Sequence, residues 1–390
     1  MTDFLHGVQV VEITNGVQTV RTASSSVIGV IGTAPEAKDE DFPINTPVLI
    51  AGSQTEAAKL GKTGTLPEVL NGILSQASAS VVVVRVEDIE VAEDAEEGAP
   101  TTETNILGDV TADGNYTGVN AFLIAKNKLG ISPRILIAPG FCSVAVVIKL
   151  ISIANRLRAI VVADTPTSSE NEALEFVKTC ADARVYAVYP DIINSDKTVV
   201  PASPYVAGVI SRTDNTDGFW VSPSNKTISG IIGLGKAVDF TLGDGACKAN
   251  YLNENKIATI INQNGYRVWG NRSTAAEGAY QFLCVRRTAD IISESILRSH
   301  LWTVDRNIVK NYLTEVSENV NAFLASLKSQ GAILAGKCFP NKELNTAANI
   351  AEGKVFFDFE FTPAYPAEQV TFRAYLNNDD VESILLENLA

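Results

Sequence analysis

A glycine–lysine motif at residues 230–236 is the most suggestive chemical pattern in this sequence. Its residues, Gly-Ile-Ile-Gly-Leu-Gly-Lys, match the G-x-x-x-x-G-K spacing of loops that hold nucleotide phosphates on backbone N–H groups. Such loops need Ser or Thr after the lysine to bind magnesium, and this chain has Ala237 there. The residues before the motif also lack the pattern of a buried strand. A nucleotide-binding enzyme using Gly230–Lys236 is therefore the weakest of the alternatives.

Other residue types that catalyse reactions or bind metals are sparse. The chain has two histidines, His6 and His300, and no G-x-S-x-G motif to supply a nucleophilic serine. Its five cysteines lie far apart without a C-x-x-C pair, which indicates free thiols in a reducing compartment. Asp358 and Glu360 share a strand face and could act as acid and base, although a solvated face is the simpler interpretation. We expect no catalytic residue, no metal site and no cofactor.

The charge and hydropathy of the chain argue against two further classes of protein, nucleic-acid binders and membrane-spanning or secreted proteins. The 390 residues carry a formal charge of −14, whereas a general nucleic-acid binder needs a basic face. No apolar run approaches the ~20 residues that span a bilayer, and no secretory signal is visible at the N-terminus. We therefore expect a soluble protein made in the cytoplasm that contacts neither nucleic acid nor, directly, a membrane.

Two alternating runs near the C-terminus predict a pair of β-strands. A period of two places one face of each strand in a core and the other in solvent. Pro363 and Pro366 separate the runs and cannot donate within a central strand. Because two strands alone are marginal in water, this pair needs further strands. The alternating apolar positions are Val355, Phe357, Phe359 and Phe361, then Val370, Phe372, Ala374 and Leu376.

The rest of the chain alternates strand and helix patterns. Between residues 25 and 193 apolar runs such as the valines at 81–84 alternate with amphipathic segments, which predicts a mostly parallel sheet covered by helices. Residues 257–270 predict a hairpin, and two long helices are predicted at 275–301 and 304–330. Residues 5–22 resemble a second hairpin around Asn15-Gly16, outside the parallel sheet. An ordinary edge hairpin on its own domain is the alternative for this arm.

Two charge features remain. Residues 87–103 contain eight acids and no base, which predicts a solvated loop. The stretch from Asn262 to Lys310 contains seven basic and four acidic residues, so it is basic in an otherwise acidic chain. It is either a solvated helix face with local ion pairs or a surface for an acidic partner.

Five stretches together resemble the contractile tail sheath proteins of myophages and R-type tailocins, and the match is closest to short sheaths without extra outer domains. The resemblance is strongest over the first 35 residues and from about residue 250 to 376. The stretches are HGVQVVEITNGVQTVRTASSSVIGVIGTAP (6–35), NGYRVWGNRSTA (264–275), RTADIISESILRSHLWTVDRNI (287–308), VNAFLASLKSQGAIL (320–334) and GKVFFDFEFTPAYPAEQVTFRAYL (353–376).

This resemblance implies a fold with an outer and an inner domain. The outer α/β domain, called subtilisin-like from its fold but without protease function, would contain a mostly parallel sheet. The inner C-terminal α+β domain would contain a small sheet completed by strands from neighbouring subunits. The implied divisions are an extended arm at 1–22, the outer domain at 23–260 with the acidic loop at 87–103, the inner domain at 261–376 and a C-terminal arm at 377–390.

It also implies an assembly. The N-terminal arm would donate a strand to the sheet of a neighbouring copy, and Thr22–Ser26 would be a flexible joint that lets the arm move. The donated apolar residues would be Val8, Val10, Val11 and Ile13. The residues of the shared sheet would be Phe357, Phe359, Phe361, Val370 and Phe372. Copies would stack as sixfold rings in a helix around a tail tube, with baseplate and tail terminator proteins as further partners. Arg286, Arg287, Arg298 and Lys310 are the candidates to face the tube.

The implied function is contraction that drives the tube through a target envelope without nucleotide hydrolysis. The protein would belong to a virion tail or tailocin particle assembled in the bacterial host cytoplasm. A structural polymer that never contracts is the alternative, ahead of the nucleotide-binding enzyme.

Overall fold

Thirteen strands form three sheets in the part of the chain described by the computed structural model, residues 20–89 and 100–378. The arm residues Val8, Val10, Val11 and Ile13, most of the acidic loop and the last twelve residues lie outside these ranges. The strands are β1 (Ile28–Thr33), β2 (Pro47–Ala51), β3 (Ser80–Val86), β4 (Ile135–Ile137), β5 (Ile160–Asp164), β6 (Val185–Val188), β7 (Ile192–Asn194), β8 (Val199–Val200), β9 (Ile231–Leu234), β10 (Ile257–Asn262), β11 (Tyr266–Trp269), β12 (Ile333–Pro340) and β13 (Phe357–Pro363).

Eleven α-helices connect or cover these strands within the same described ranges. Several begin at a serine or threonine whose side chain accepts a hydrogen bond from the first turn, such as Ser143 and Ser169. The helices are α1 (Gln54–Ala57), α2 (Leu66–Leu74), α3 (Thr102–Leu107), α4 (Ala125–Leu129), α5 (Val144–Leu157), α6 (Glu170–Thr179), α7 (Ser203–Thr216), α8 (Lys248–Glu254), α9 (Leu283–Ser299), α10 (Lys310–Ser329) and α11 (Ala347–Ala351).

The large sheet has eight strands in the order β2-β3-β1-β4-β5-β6-β10-β11. The six central strands are parallel, and an antiparallel strand closes each edge. The mostly parallel sheet expected from the sequence is thus present. Its last hairpin, β10–β11, extends the sheet to Trp269, beyond the division expected at residue 260.

Apolar side chains cover both faces of this sheet. One face packs against α2 and α7, and the other against α5 and α6. At Gly72 in α2 an added Cβ would lie 2.8 Å from the Tyr205 ring, so the glycine permits the close approach of α2 and α7. Burial on both faces explains why β3 and β5 are continuous apolar runs rather than alternating ones.

A second core lies between α9, α10 and the small sheet formed by β12 and β13. Its buried side chains include Ile292, Phe323, Leu324, Leu327 and Ile333. The apolar stripe predicted for the second long helix forms the α10 side of this core, and Gly331 at φ 81° ends the helix as expected. Both long helices begin later than predicted, at Leu283 and Lys310.

Candidate functional site

The small sheet has only two strands in the described chain. β12 and β13 pair antiparallel from Ile333–Pro363 to Pro340–Phe357, with an irregularity between Ile333 and Ala335. Each strand therefore pairs along one edge only within residues 20–89 and 100–378. Unpaired edges present rows of backbone donors and acceptors to any further strand.

The aromatic residues of β13 are divided between core and solvent. Phe357 and Phe361 are partly buried and pack against the core of α9 and α10. Phe359 lies opposite the buried Cys338, yet its own side chain is 37% exposed. The strict alternation of buried and exposed side chains expected for this strand is therefore not observed in the described chain, since Phe359 is exposed while Asp358 beside it is half-buried.

An amide side chain fixes the small sheet to α10. Asn321 donates from Nδ2 to the Cys338 carbonyl at 2.9 Å, and its Oδ1 accepts from the Cys338 N–H at 2.7 Å. Asn341 donates to Asp358 at 2.6 Å, while Glu360 is exposed. Asp358 and Glu360 thus lie on the polar face, as the simpler interpretation of these carboxylates predicted.

The second predicted strand is absent: residues 364–378 contain neither helix nor strand. The alternating pattern was not sufficient, because a strand also needs a partner for its backbone groups, and within the described residues the segment after Pro363 pairs neither with β12 nor with the second edge of β13. Glu368 binds Arg272 through two hydrogen bonds of 2.8 and 2.6 Å, and beyond it the apolar side chains face solvent. The exposed fractions are 66% for Val370, 92% for Phe372, 73% for Tyr375 and 92% for Leu376.

The segment expected to be a flexible joint, Thr22–Ser26, is attached to the body instead. Ala23 and Ser25 are buried. The Ala23 N–H donates to Ser295 Oγ at 2.9 Å, and Ser211 Oγ donates to the Ser26 carbonyl at 2.9 Å. Residues 23–26 are therefore held on the body in the conformation described.

The four basic residues expected to face a partner have different environments. Arg287 is 4% exposed and pairs with the buried Asp214, so it is an interior residue and that expectation is wrong for the conformation described. Arg286 is mostly buried, pairs with Asp290 at 2.7 Å and lies 4.1 Å from the Tyr280 ring centroid.

Arg298 and Lys310 are both exposed. Arg298 lines a cavity of about 500 Å³ with Arg21 and Trp302. Four large apolar side chains near these two basic residues in the sequence are also exposed. They are Leu297, Leu301, Val304 and Val309.

Sequence reasoning missed a row of buried ion pairs that joins α9 to the amino ends of the parallel strands. Glu294 accepts from Arg134 at 2.6 Å and from Arg158 at 3.0 Å, and Asp290 accepts from Arg184 at 2.5 Å. Burial opposes the charge on Glu294, but its two arginines outweigh this and hold its pKa below the ordinary value. The available signal was an arginine directly or shortly before β4, β5 and β6.

The glycine–lysine motif does not form a phosphate-binding loop. Residues Ile231–Leu234 form β9, which pairs antiparallel with β7, and the chain after Lys236 does not enter a helix. Lys236 Nζ donates to the Ser168 carbonyl at 3.3 Å. A phosphate-binding loop instead runs from a strand directly into a helix N-terminus.

A buried carboxylate at the end of β5 was also missed. Asp164 accepts from the Ser203 N–H at 2.7 Å and from Ser203 Oγ at 2.5 Å, so it caps α7 from outside the helix. Burial raises its pKa to about 6. The Cys142 thiol lies 3.8 Å from the same carboxylate, and burial raises the thiol pKa well above its ordinary value. A protonated thiol beside a carboxylate engaged in capping is a poor nucleophile.

Two other kinds of site are absent from the described residues, a metal site and a membrane-spanning helix. No group of three or more His, Cys, Asp or Glu residues there is arranged to hold a metal ion. Among the helices described, none is long and apolar enough to cross a membrane.

Three family models match successive parts of the chain. The Gp18 domain III N-terminal region of tail sheath proteins matches residues 25–86. The phage tail sheath protein central domain matches residues 114–274, and the phage tail sheath C-terminal domain matches residues 276–377.

Whole-length relatives agree with these models. A putative prophage major tail sheath protein of Pseudomonas aeruginosa (strain UCBPP-PA14) is 36% identical, over 98% of this chain and 99% of the relative. The tail sheath protein of Escherichia phage P2 is 32% identical over 96% of each chain.

Solved structures share the fold at low sequence identity. The sheath complex of an extracellular contractile injection system, PVC, in its contracted state aligns with a TM-score of 0.72 at 16% identity, covering 97% of this chain and all of the other. The contracted helical sheath of the anti-feeding prophage aligns with a TM-score of 0.71 at 18% identity, covering 96% and 100%. On the family models and the whole-length relatives, the chain belongs to the phage tail sheath protein family.

Proposed function

We propose that this sheath protein polymerises as stacked sixfold rings around a tail tube and contracts to drive the tube through a target envelope. The tube, a baseplate and a tail terminator protein are its proposed partners. Its role is structural rather than enzymatic, in a phage tail or tailocin particle assembled in the host cytoplasm. The observation that carries the proposal is a two-stranded sheet beside an extension whose apolar side chains have no cover in the described chain.

Donated strands explain both halves of that observation. The free edges of β12 and β13 can accept strands through backbone hydrogen bonds, which need no particular side chains. Residues 364–378 number 15, so an extended chain of that length reaches about 50 Å and can arrive at a neighbouring copy. Phe357, Phe359 and Phe361 would then lie in a sheet shared between copies.

The energy of this exchange comes mainly from apolar side chains. Covering Phe372 and Leu376, each 92% exposed, yields about 1.5–3 kcal/mol per side chain before the entropy of ordering is subtracted. Val370 would add to this on the same alternating face. The N-terminal arm would contribute Val8, Val10, Val11 and Ile13 in the same way.

The two cores support an outer and an inner unit. We assign the large sheet and its helices to an outer, subtilisin-like domain, and α9, α10 and the small sheet to an inner domain. The arms at 1–22 and 377–390 then connect neighbouring copies. The exposed basic residues Arg298 and Lys310, with the exposed apolar side chains near them in the sequence, are the proposed contact with an acidic region of the tube.

Removal of residues 1–14 tests the assembly. The shortened chain should remain folded but fail to form tubular polymers in negative-stain microscopy, because the donated strand is missing. Deletion of residues 90–99, a segment of similar length in the acidic loop, is the matched control and should leave polymers intact. Normal contractile tubes from the chain without residues 1–14 would overturn strand donation by the N-terminal arm.

A further inference from the structure

The arm root, defined here as residues 21–25 at the start of the described chain, lies along α9. The N–H groups of Arg21 and Ala23 donate to Ser299 Oγ at 3.2 Å and to Ser295 Oγ at 2.9 Å, and Arg287 donates to the Ser25 carbonyl at 3.2 Å. Positions 21, 23 and 25 alternate along the arm, as in an extended chain. Positions 295 and 299 are four residues apart and share one helix face, and Arg287, about two turns before Ser295, reaches the arm with its long side chain. The arm root therefore runs antiparallel to α9.

Ser295 is the central contact. Its side chain is fully buried, and its hydroxyl donates to the Ile291 carbonyl at 2.6 Å. The proton of the hydroxyl is thus directed to its own helix, and the lone pairs remain to accept the buried Ala23 N–H. Loss of this oxygen would remove the hydrogen-bond acceptor that the structure shows for the Ala23 amide.

Arg287 extends the attachment to a second helix. Its guanidinium pairs with Asp214 of α7 through two hydrogen bonds, one of 2.6 Å, and both side chains are buried. Ser211 of α7 holds the next carbonyl, that of Ser26, at 2.9 Å. The arm root consequently lies in a seam between α7 and α9.

The body behind this seam is itself tied together. Asp290 and Glu294 of α9 hold arginines at the amino ends of β4, β5 and β6. A pull on residues 21–25 therefore acts on α9 and, through these ion pairs, on the large sheet.

We propose that Ser295, supported by Ser299 and Arg287, is a positioning residue for the N-terminal arm. It fixes residues 21–25 on α9 and so determines the place on the body from which the N-terminal arm starts. The force path rests on the proposed strand donation, whereas the anchoring itself does not.

Amide hydrogen exchange of the full-length protein tests the anchoring. Ser295→Ala should raise the exchange rate of a peptide covering residues 20–26 about tenfold and leave a peptide from β5 unchanged. Ser317→Ala is the matched control, because Ser317 is a largely buried helical serine that donates to the Leu313 carbonyl at 2.9 Å and has no hydrogen bond to residues 20–26. It should leave residues 20–26 protected. Ser295→Cys, which keeps a weak acceptor, should restore part of the protection.

The same variants test positioning. Ser295→Ala should yield irregular or short polymers by negative-stain microscopy, whereas Ser317→Ala should yield regular ones. Unchanged protection at 20–26 in Ser295→Ala would overturn the anchor. Lost protection with regular polymers would overturn the positioning role. Protection is measured whether or not the chain polymerises, so a failure of strand donation, seen after removal of residues 1–14, is a separate result.

Discussion

Two carboxylates on α9, Asp290 and Glu294, decide how the helix meets the large sheet. Each accepts hydrogen bonds from two arginines, and both are buried. Replacement of a whole buried ion pair by apolar side chains can leave the stability of a protein unchanged. Removal of one partner destabilises the protein, because the other charge stays buried without a counter-charge. The pairs therefore act as a geometric constraint on α9 more than as a source of stability.

Glu294→Gln should destabilise the fold by about 3 kcal/mol, because Arg134 would remain buried without a counter-charge. For a chain of this size that lowers the thermal unfolding midpoint by about 4 °C. Differential scanning calorimetry measures the shift. Glu352→Ala, which breaks the exposed pair with Lys354, is the control and should shift the midpoint by less than about 1 °C. Equal shifts in both variants would contradict the role assigned to burial.

Asp164 should make stability depend on pH. Its folded pKa of about 6 lies above the ordinary 3.8, so the folded state binds the proton more tightly than the unfolded state. Protonation therefore contributes stability that is complete below about pH 4 and is lost as the pH rises through 6. Between pH 5 and 7.5 the free energy of unfolding should fall by about 1.4 kcal/mol from this group alone.

Asp164→Asn should remove that fall, since the amide can still accept the Ser203 N–H but does not titrate in this range. Unfolding midpoints of both proteins across the pH range measure the difference. Parallel curves for the two proteins would show that Asp164 does not titrate near 6.

At the scale of elements, the segment after β13 has apolar side chains that the described part of its own chain does not cover. Its apolar residues alternate as in a strand, yet their side chains lie in solvent. Alternation of apolar and polar residues indicates which face of a strand becomes buried. For this segment, the described part of its own chain does not supply the surface that would bury that face. A large exposed apolar segment marks an interaction surface.

A double change, Val370→Asp with Phe372→Asp, should abolish polymerisation and leave the thermal unfolding midpoint within about 1 °C, because neither side chain packs on its own body. Thr371→Asp changes the intervening, exposed position and should be tolerated in a donated strand. Sedimentation and negative-stain microscopy give the polymer content. Loss of polymers in the Thr371 variant alone would reverse the assignment of the two faces.

At the scale of the whole molecule, the core around the large sheet is separate from the core of α9, α10 and the small sheet, which supports the proposed division into an outer and an inner domain. The proposed strand exchange would keep copies connected while their bodies rotate, since backbone pairing can survive rigid movement about flexible joints. The proposed energy source is the change in contacts between copies, with the extended polymer kinetically trapped. The net charge of −14 adds repulsion between copies.

Reversal of the charge at Lys310, which is proposed to face the tube, should distinguish the contact with the tube from the contacts between copies of the sheath protein. Lys310→Glu should weaken co-sedimentation with purified tubes several-fold and leave self-polymerisation intact, because the proposed strand contacts lie elsewhere. Lys342→Glu makes the same change in net charge at another exposed position and serves as the control. Equal tube binding by both variants would remove Lys310 from the tube contact.

The sequence by itself determined the parallel sheet, the hairpin β10–β11 and the apolar stripe of α10, because each depends on local periodicity or turn chemistry. The turn at Asn264 and Gly265 shows this, as both residues have positive φ, at 52° and 97°. It also indicated the sheath family through long matching stretches, which the comparisons confirmed.

Only the tertiary structure decided which segments pair and which charges are exposed. Residues 355–361 and 370–376 have equally good strand patterns, but β12 pairs with the first run, whereas no strand of the described chain pairs with the second, whose large apolar side chains stay exposed. Arg287 and Arg298 are both arginines on α9, yet one pairs with Asp214 in the interior and the other faces solvent. Likewise Thr22–Ser26 has the composition of a loose joint but binds α9. Pairing partners and burial arise from residues far apart in the chain, so no local pattern contains them.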